Sequence, residues 1–373
     1  MTDLGVAAFT DTYLPTVNGV TYTVETWQER WRARGGRMDV VYPASSHDPG
    51  PQDHPVRSVR FPFYDGYRLG LPRVPSDVAD PDVVHSHTPF SVGLSGLRFA
   101  RATDAPLVAS YHTPTAEYAS YLSINGTVEK TVRGAANSYE RWYLKHADVV
   151  VVPSEETGRY VAEDIGVQTE IEVVPNGVDV EFFRPVDATD FRARHGLPDG
   201  PLVGYTGRHG YEKNLDAIVD AAEELDVTLV FGGDGPARED LEARAAEADV
   251  DARFLGFLDR EELPAFYSVL DVFAFPSPVE TQGIVALEAN ACGTPVAGVA
   301  SAALADTIDQ GETGYKAPPD DIAAFRDVIA RTLAERDSLR EECLARREAV
   351  SVDHSVDRLT DVYASALDAR IDA

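Results

Sequence analysis

Two carboxylates stand eight residues apart in Glu280-Thr281-Gln282-Gly283-Ile284-Val285-Ala286-Leu287-Glu288, one in a loop and one in a stretch of helical character. A carboxylate can accept hydrogen bonds from both hydroxyls of a ribose, and a glycine between the two lets the backbone approach a ligand. A second run, Thr206-Gly207-Arg208-His209-Gly210-Tyr211-Glu212-Lys213-Asn214, places Arg208 and Lys213 beside a helix expected to begin at Asn214. Cations and helix-terminal N–H groups converging on one spot suit a diphosphate. A third run, Thr10 to Val20, opens an amphipathic helix at Gly19 that carries Val24, Trp27 and Trp31. Three histidines sit at strand ends: His85 and His87 could pair on a metal by spacing alone, and His112 read by itself is a buried turn residue.

These residues need a frame that repeats strand, loop and helix. Short apolar runs recur at Gly5 to Phe9, Met38 to Tyr42, Val83 to His85, Leu107 to Tyr111 and Val149 to Val152, each followed by a helical stretch. A second series runs through Leu202 to Tyr205, Val227 to Phe231, Arg253 to Leu255, Val272 to Phe275 and Pro295 to Gly298. The alternation predicts α/β architecture in two tandem Rossmann-like, doubly wound domains. Turn chemistry in Val174-Pro175-Asn176-Gly177 and from Gly196 to Pro201 places the boundary near residue 180. The expected domains are 1–180 and 181–354, with a C-terminal helix over 355–373 returning to the first.

The chain has 373 residues, enough for two cores of ordinary size. Its 33 Lys+Arg against 62 Asp+Glu give a net charge of −29, which repels nucleic acid. Only Lys130, Lys145, Lys213 and Lys316 are lysines, a surface balance that resembles proteins of salt-loaded cytoplasm. Within 57–145 the count is instead 10 Arg/Lys to 8 Asp/Glu, which an anionic acceptor or membrane surface would explain as readily as chance loop composition. Two cysteines, Cys292 and Cys343, make no disulfide framework. The opening Met1-Thr2-Asp3-Leu4 lacks a basic leader and no apolar run is long enough to span a bilayer, so a cytoplasmic protein is expected, peripheral on the inner membrane face at most.

The loop Pro15 to Val20, the run Gly207-Arg208 with Glu212-Lys213-Asn214, and the Glu-x7-Glu run with Gly293-Thr294-Pro295-Val296 together resemble the family 4 glycosyltransferases. Val174-Pro175-Asn176-Gly177-Val178-Asp179 and Phe231-Gly232-Gly233-Asp234-Gly235-Pro236 extend the resemblance over nearly the whole chain. The resemblance implies the GT-B fold with an interdomain cleft, and retaining hexosyl transfer from a nucleotide-diphosphate sugar (UDP- or GDP-hexose). It implies a diphosphate held by Arg208 and Lys213, a ribose on Glu288, and a sugar facing Glu280. Backbone N–H groups of Gly283, Ile284 and Val285 would meet phosphate and sugar, Asn18 and Gly19 would approach the donor, and His112 would stand beside the sugar. His85 and His87 are then expected to line the cleft, with no cofactor and no obligatory metal.

Gln282 departs from the phenylalanine commonest at that place in the family, and Glu280-Thr281-Gln282-Gly283 resembles the subgroup that acts on diacylglycerol-type lipids. The expected acceptor is therefore a membrane lipid, with a glycan, lipid-linked oligosaccharide or small polyol as the rival. The segment Tyr118 to His146 interleaves Tyr121, Leu122, Ile124, Tyr139, Trp142, Tyr143 and Leu144 with Lys130, Arg133, Arg141 and Lys145. Such a mixture fits a membrane interface or an ordinary packed helix pair. A glycosidase, a sugar-nucleotide epimerase, a non-catalytic nucleotide binder and a dehydrogenase fit less well. Glu288 is expected two helical turns from Glu280, nearer the nucleotide than the anomeric carbon, and neither first turn holds a full Gly-x-Gly-x-x-Gly.

Overall fold

The computed structural model describes residues 4–16, 18–60, 67–112 and 126–371, with the backbone alone over 126–133 and at 371. The chain divides into two compact units, residues 1–176 with 352–373 and residues 177–351.

The first unit contains β1 (Gly5–Phe9), β2 (Arg37–Pro43), β3 (Asp53–Val56), β4 (Ser58–Arg60), β5 (Arg68–Gly70), β6 (Val83–Ser86), β7 (Leu107–Ser110), β8 (Val149–Val152) and β9 (Glu170–Val173). Seven of them form a parallel sheet in the order β3-β2-β1-β6-β7-β8-β9, and β4 and β5 form a small antiparallel pair. Strands such as Val149-Val150-Val151-Val152 are buried along their whole length, as a sheet covered on both faces requires. Alternate residues of β1 serve opposite faces. Val6 and Ala8 meet Trp27 and Trp31 of α1 (Gly19–Ala33) together with Val356, Leu359 and Tyr363 of the closing helix Val352–Ile371. Ala7 and Phe9 meet Val92 and Leu97 of α2 (Ser91–Thr103) and Tyr143 of α3 (Gly126–Leu144). The closing helix is held by packing and charge: Tyr363 meets Trp31 edge-on at 5.4 Å, and Arg34 bridges Asp353 and Asp357 at 3.2 and 2.5 Å.

The second unit carries β10 (Leu202–Thr206), β11 (Thr228–Gly232), β12 (Ala252–Gly256), β13 (Val272–Phe275), β14 (Val296–Val299) and β15 (Gly314–Ala317). All pair in parallel, in the order β12-β11-β10-β13-β14-β15. Numbered within the unit this is 3-2-1-4-5-6, the doubly wound order whose direction reverses between the first and fourth strands. The first unit reverses in the same way between β1 and β6. Loops leaving the two central strands diverge at such a point and leave a crevice at the carboxyl edge of the sheet.

The sequence reading omits several strands, and their composition shows why. β3 carries Pro55 and β9 reads Glu170-Ile171-Glu172-Val173 with Glu170 exposed, so these edge strands lack the continuous apolar signal of the centre. The stretch from Gly177 to Pro201, at the start of the second unit, is not all turn: Thr189–Arg194 is helical and buries Phe191. Among the described residues no helix is long and apolar enough to cross a membrane.

At the reversal point of the first unit, the Asp11 carboxylate accepts the backbone N–H groups of Val92 and Gly93 at 2.8 and 3.2 Å. It also accepts the hydroxyls of Thr88 and Ser91 at 2.7 and 3.1 Å. It thus caps α2 from another strand end, satisfying donors that a helix start leaves orphaned. Burial raises its pKa even against four hydrogen bonds, so the ties are needed to keep it in place. Asp11→Ala, which strands two buried N–H groups, is expected to cost about 1–3 kcal/mol, read as a lower melting temperature, and Asp11→Asn to cost less.

Candidate functional site

The reversal between β10 and β13 brings together the two runs that the sequence singles out in the second unit. The chain leaves β10 at Gly207 and makes a single 3₁₀ turn over Tyr211–Lys213. It then passes through Asn214 in the left-handed region and enters α4 (Asp216–Ala222) two residues later than the sequence suggests. From β13 it runs through Glu280 to Gly283 and into α5 (Ile284–Ala291). Lys213 Nζ lies 2.5 Å from Glu280 Oε1, and both side chains are largely shielded from water. Arg208 pairs with Glu212 on the same loop and remains the more exposed of the two cations.

Gly283 caps α5 at φ +77°, ψ +54°, and a β-carbon there would lie 2.8 Å from Leu304 Cδ2. Only glycine combines that turn with that contact, and α5 begins directly after it, with the first N–H groups that a helix cannot pair within itself. Glu288 sits in the second turn of α5, which begins only at Ile284, so Glu280 itself lies in the loop before the helix. Glu288 is buried, and its Oε2 accepts the Tyr267 hydroxyl at 2.6 Å. Burial pushes its pKa up to about 7 against the opposing pull of Tyr267 and Arg260.

The sequence reading missed what supports the Arg208 loop. His209 is fully buried; its N–H donates to Asp234 O at 2.8 Å, its carbonyl accepts Ala237 N–H at 2.9 Å, and its Nε2 lies 3.2 Å from Gly232 O. A β-carbon on Gly233 would fall 2.0 Å from Gly207 O. The Gly-Gly-Asp-Gly run is therefore a platform on which the loop after β10 rests backbone to backbone. The closely spaced glycines after β11 were the available signal.

In the first unit, Asn18 Oδ1 accepts Thr21 N–H and Asn18 Nδ2 donates to Thr12 Oγ1, both at 2.9 Å. Its side chain frames the loop, and Gly19 is exposed at the start of α1. His112 is buried at the end of β7, with Nε2 3.1 Å from His87 Nδ1, and burial lowers its pKa to about 4. His85 and His87 do not line an open cleft. They are wholly buried, because the carboxyl ends of β6 and β7 lie beneath Trp27 and the closing helix. His85 uses its nitrogens on Tyr363 and Ser110, so spacing alone does not make the two a metal pair.

On α3, Tyr143 and Leu144 are core residues, whereas Trp142 is 41% exposed between exposed Arg141 and Lys145. Among the described residues the exposed aromatic-and-basic pattern is thus confined to part of the segment. Tyr121, Leu122 and Ile124 lie outside the described residues, as do the side chains of Lys130 and Arg133.

Comparison with known proteins agrees across both units. Glycosyltransferase Family 4 matches residues 17–182, and Glycosyl transferases group 1 matches residues 187–348. A 2-deoxystreptamine glucosyltransferase of Streptomyces kanamyceticus is 33% identical, covering 72% of this chain and 72% of its own. A GDP-mannose-dependent alpha-mannosyltransferase of Mycobacterium tuberculosis is 32% identical over 94% of this chain and 93% of its own. An alpha-monoglucosyldiacylglycerol synthase of Streptococcus pneumoniae is 29% identical over 78% and 70%. Sucrose-phosphate synthase from Thermosynechococcus elongatus shares the fold, with TM-score 0.79 at 23% identity over 98% of this chain and 100% of its own.

The raised pKa of Glu288 has a thermodynamic sign. A carboxyl that holds its proton more tightly folded than unfolded loses its stabilising contribution as pH rises through the folded value. Wild type should therefore lose stability relative to Glu288→Gln between about pH 4.5 and about pH 7, with a constant gap above that, in paired denaturant titrations.

Proposed function

The chain belongs to the family 4 glycosyltransferases, retaining enzymes that use nucleotide sugars, and from that premise we propose that it moves a hexose from a UDP- or GDP-sugar to a membrane glycerolipid. The observation that carries the donor half is the convergence of Arg208, Lys213, Glu280 and the amino end of α5 at the β10/β13 reversal. Arg208 and Lys213 take the diphosphate charge, and the N–H groups of Gly283, Ile284 and Val285 add donors at a helix start. Glu288, once ionised, accepts the two ribose hydroxyls. Asn18 frames the loop from which Gly19 approaches the donor, and His112 stands by the sugar.

The chemistry then follows from charge. The bond from the anomeric carbon to the phosphate oxygen breaks with its electron pair on phosphate, leaving an oxocarbenium-like sugar. The acceptor oxygen bonds to the same face, and its proton passes to the leaving phosphate oxygen. Positioning and stabilisation of the leaving group supply the catalysis. Because Lys213 contacts Glu280, an arriving diphosphate competes for the ammonium and frees the carboxylate for sugar hydroxyls. Arg208→Ala and Lys213→Ala are each expected to lower kcat by about 100- to 1000-fold, measured as nucleoside diphosphate release. Wild-type rates in both would remove the assignment.

Ribose recognition by the ionised Glu288 also sets a pH dependence. Affinity for a nucleotide sugar should fall as pH drops below about 7, where Glu288 takes up a proton, and Glu288→Gln should bind weakly without that slope. Calorimetric titration of the sugar nucleotide at several pH values reads both.

The lipid half draws support from the Glu-Thr-Gln-Gly run, from the diacylglycerol-directed relative, and from Trp142 flanked by Arg141 and Lys145. An amphipathic face of that kind suits peripheral contact with the inner membrane surface. The 2-deoxystreptamine glucosyltransferase favours a small polar acceptor as the second reading. The deciding assay incubates the enzyme in molar potassium chloride with UDP-, GDP- and ADP-sugars, with and without total polar lipid. A hexose mass added to a lipid is the expected product; nucleotide release with no lipid change moves the acceptor to a glycan or polyol.

A further inference from the structure

Three imidazoles stack inside the first unit where β6 and β7 end. The His85 and His87 rings lie 4.1 Å apart, His87 and His112 are nearly parallel at 5.4 Å, and Trp27 flanks all three at 5.8 to 6.4 Å. His85 is fixed at both nitrogens, Nδ1 2.6 Å from the hydroxyl of Tyr363 on the closing helix and Nε2 2.7 Å from Ser110 Oγ. His87 Nδ1 lies 3.1 Å from His112 Nε2, while His87 Nε2 is buried with no hydrogen-bond partner. His87 itself is only 2% exposed.

Burial keeps these rings neutral at physiological pH, so each carries one N–H. A single hydrogen therefore occupies the His87–His112 contact. If His112 supplied it, the hydrogen of His87 would sit on Nε2, a buried donor with no acceptor. A bare lone pair at that nitrogen is the less costly arrangement, since orphaned buried N–H groups are the rarer exception in folded proteins.

We propose that His87 is a positioning residue that donates from Nδ1 to His112 Nε2, fixing His112 with its hydrogen on Nδ1, while Tyr363 holds the far end of the stack through His85. This rests on the reading of His112 as the residue beside the transferred sugar. A ring locked in one tautomer presents its hydrogen-bonding groups in a fixed sense, so nothing must reorganise as charge develops. The closing helix, far from the donor residues in sequence, thereby helps to hold the stack in place.

The test reads tautomer and rate together on the full chain. Long-range proton–nitrogen correlation spectra of ¹⁵N-histidine protein should show His112 protonated at Nδ1 in wild type. His87→Asn, which keeps an amide near the place of Nδ1, should retain that signature and most of kcat. His87→Leu should mix the tautomers and lower kcat by ~3- to 10-fold with little change in donor KM, the scale of one neutral hydrogen bond. A wild-type spectrum with the hydrogen on Nε2 overturns the proposal even if His87→Leu fails to fold, and so does His87→Leu with an unchanged tautomer and rate. His112→Ala separates the two readings. Unimpaired His112→Ala removes the role of His112 itself, whereas impaired His112→Ala beside an unimpaired His87→Leu removes only the role of His87.

Discussion

In residues 177–351 the chain leaves β10 and β13 in opposite directions, and the candidate donor site depends on the gap that this opens. Parallel strands cannot be joined by tight turns, so each must be followed by a crossover, and reversing the direction of winding leaves two loop systems diverging at one edge. One loop brings Arg208 and Lys213, the other brings Glu280 and the start of α5. The 2.5 Å contact between Lys213 and Glu280 is where the two meet. Neither loop alone gathers cations, carboxylates and free amides.

Backbone contact without side chains lets the gap keep its shape. Gly233 rests against the backbone of Gly207, so that contact is made by atoms with no rotamers to lose, whereas Gly283 turns against the side chains of Leu304 and Phe275. His209 adds a buried polar strut between the loops that follow β10 and β11. Above this base Arg208 stays partly exposed, Lys213 and Glu280 are largely shielded, and Glu288 is buried.

Burial of ionisable groups is the second recurring device. Asp11, Glu288 and the three stacked histidines all sit where water is excluded, and in each the uncharged form is favoured over its ordinary state. This contrasts with a surface carrying a net charge of −29. The acidic exterior bears on solubility and association, while inside it a few groups have their charge state controlled by burial.

Much of this was legible in the sequence. Apolar runs and their alternation with helical stretches determine two doubly wound units, because a strand buried on both faces must be apolar throughout. The spacing of Arg208, Lys213, Glu280, Gly283 and Glu288 pointed to the candidate donor site, because helix starts and strand-end loops are local features. Edge strands such as β9 were hidden by their polar residues. Only the tertiary structure decided that Lys213 touches Glu280, that Gly233 supports Gly207, that His85 and His87 are core residues, and that Tyr363 reaches His85 across 278 positions. Sequence periodicity reports which face of an element is buried, but the partner found on that face depends on strand order and crossover, which no local pattern encodes.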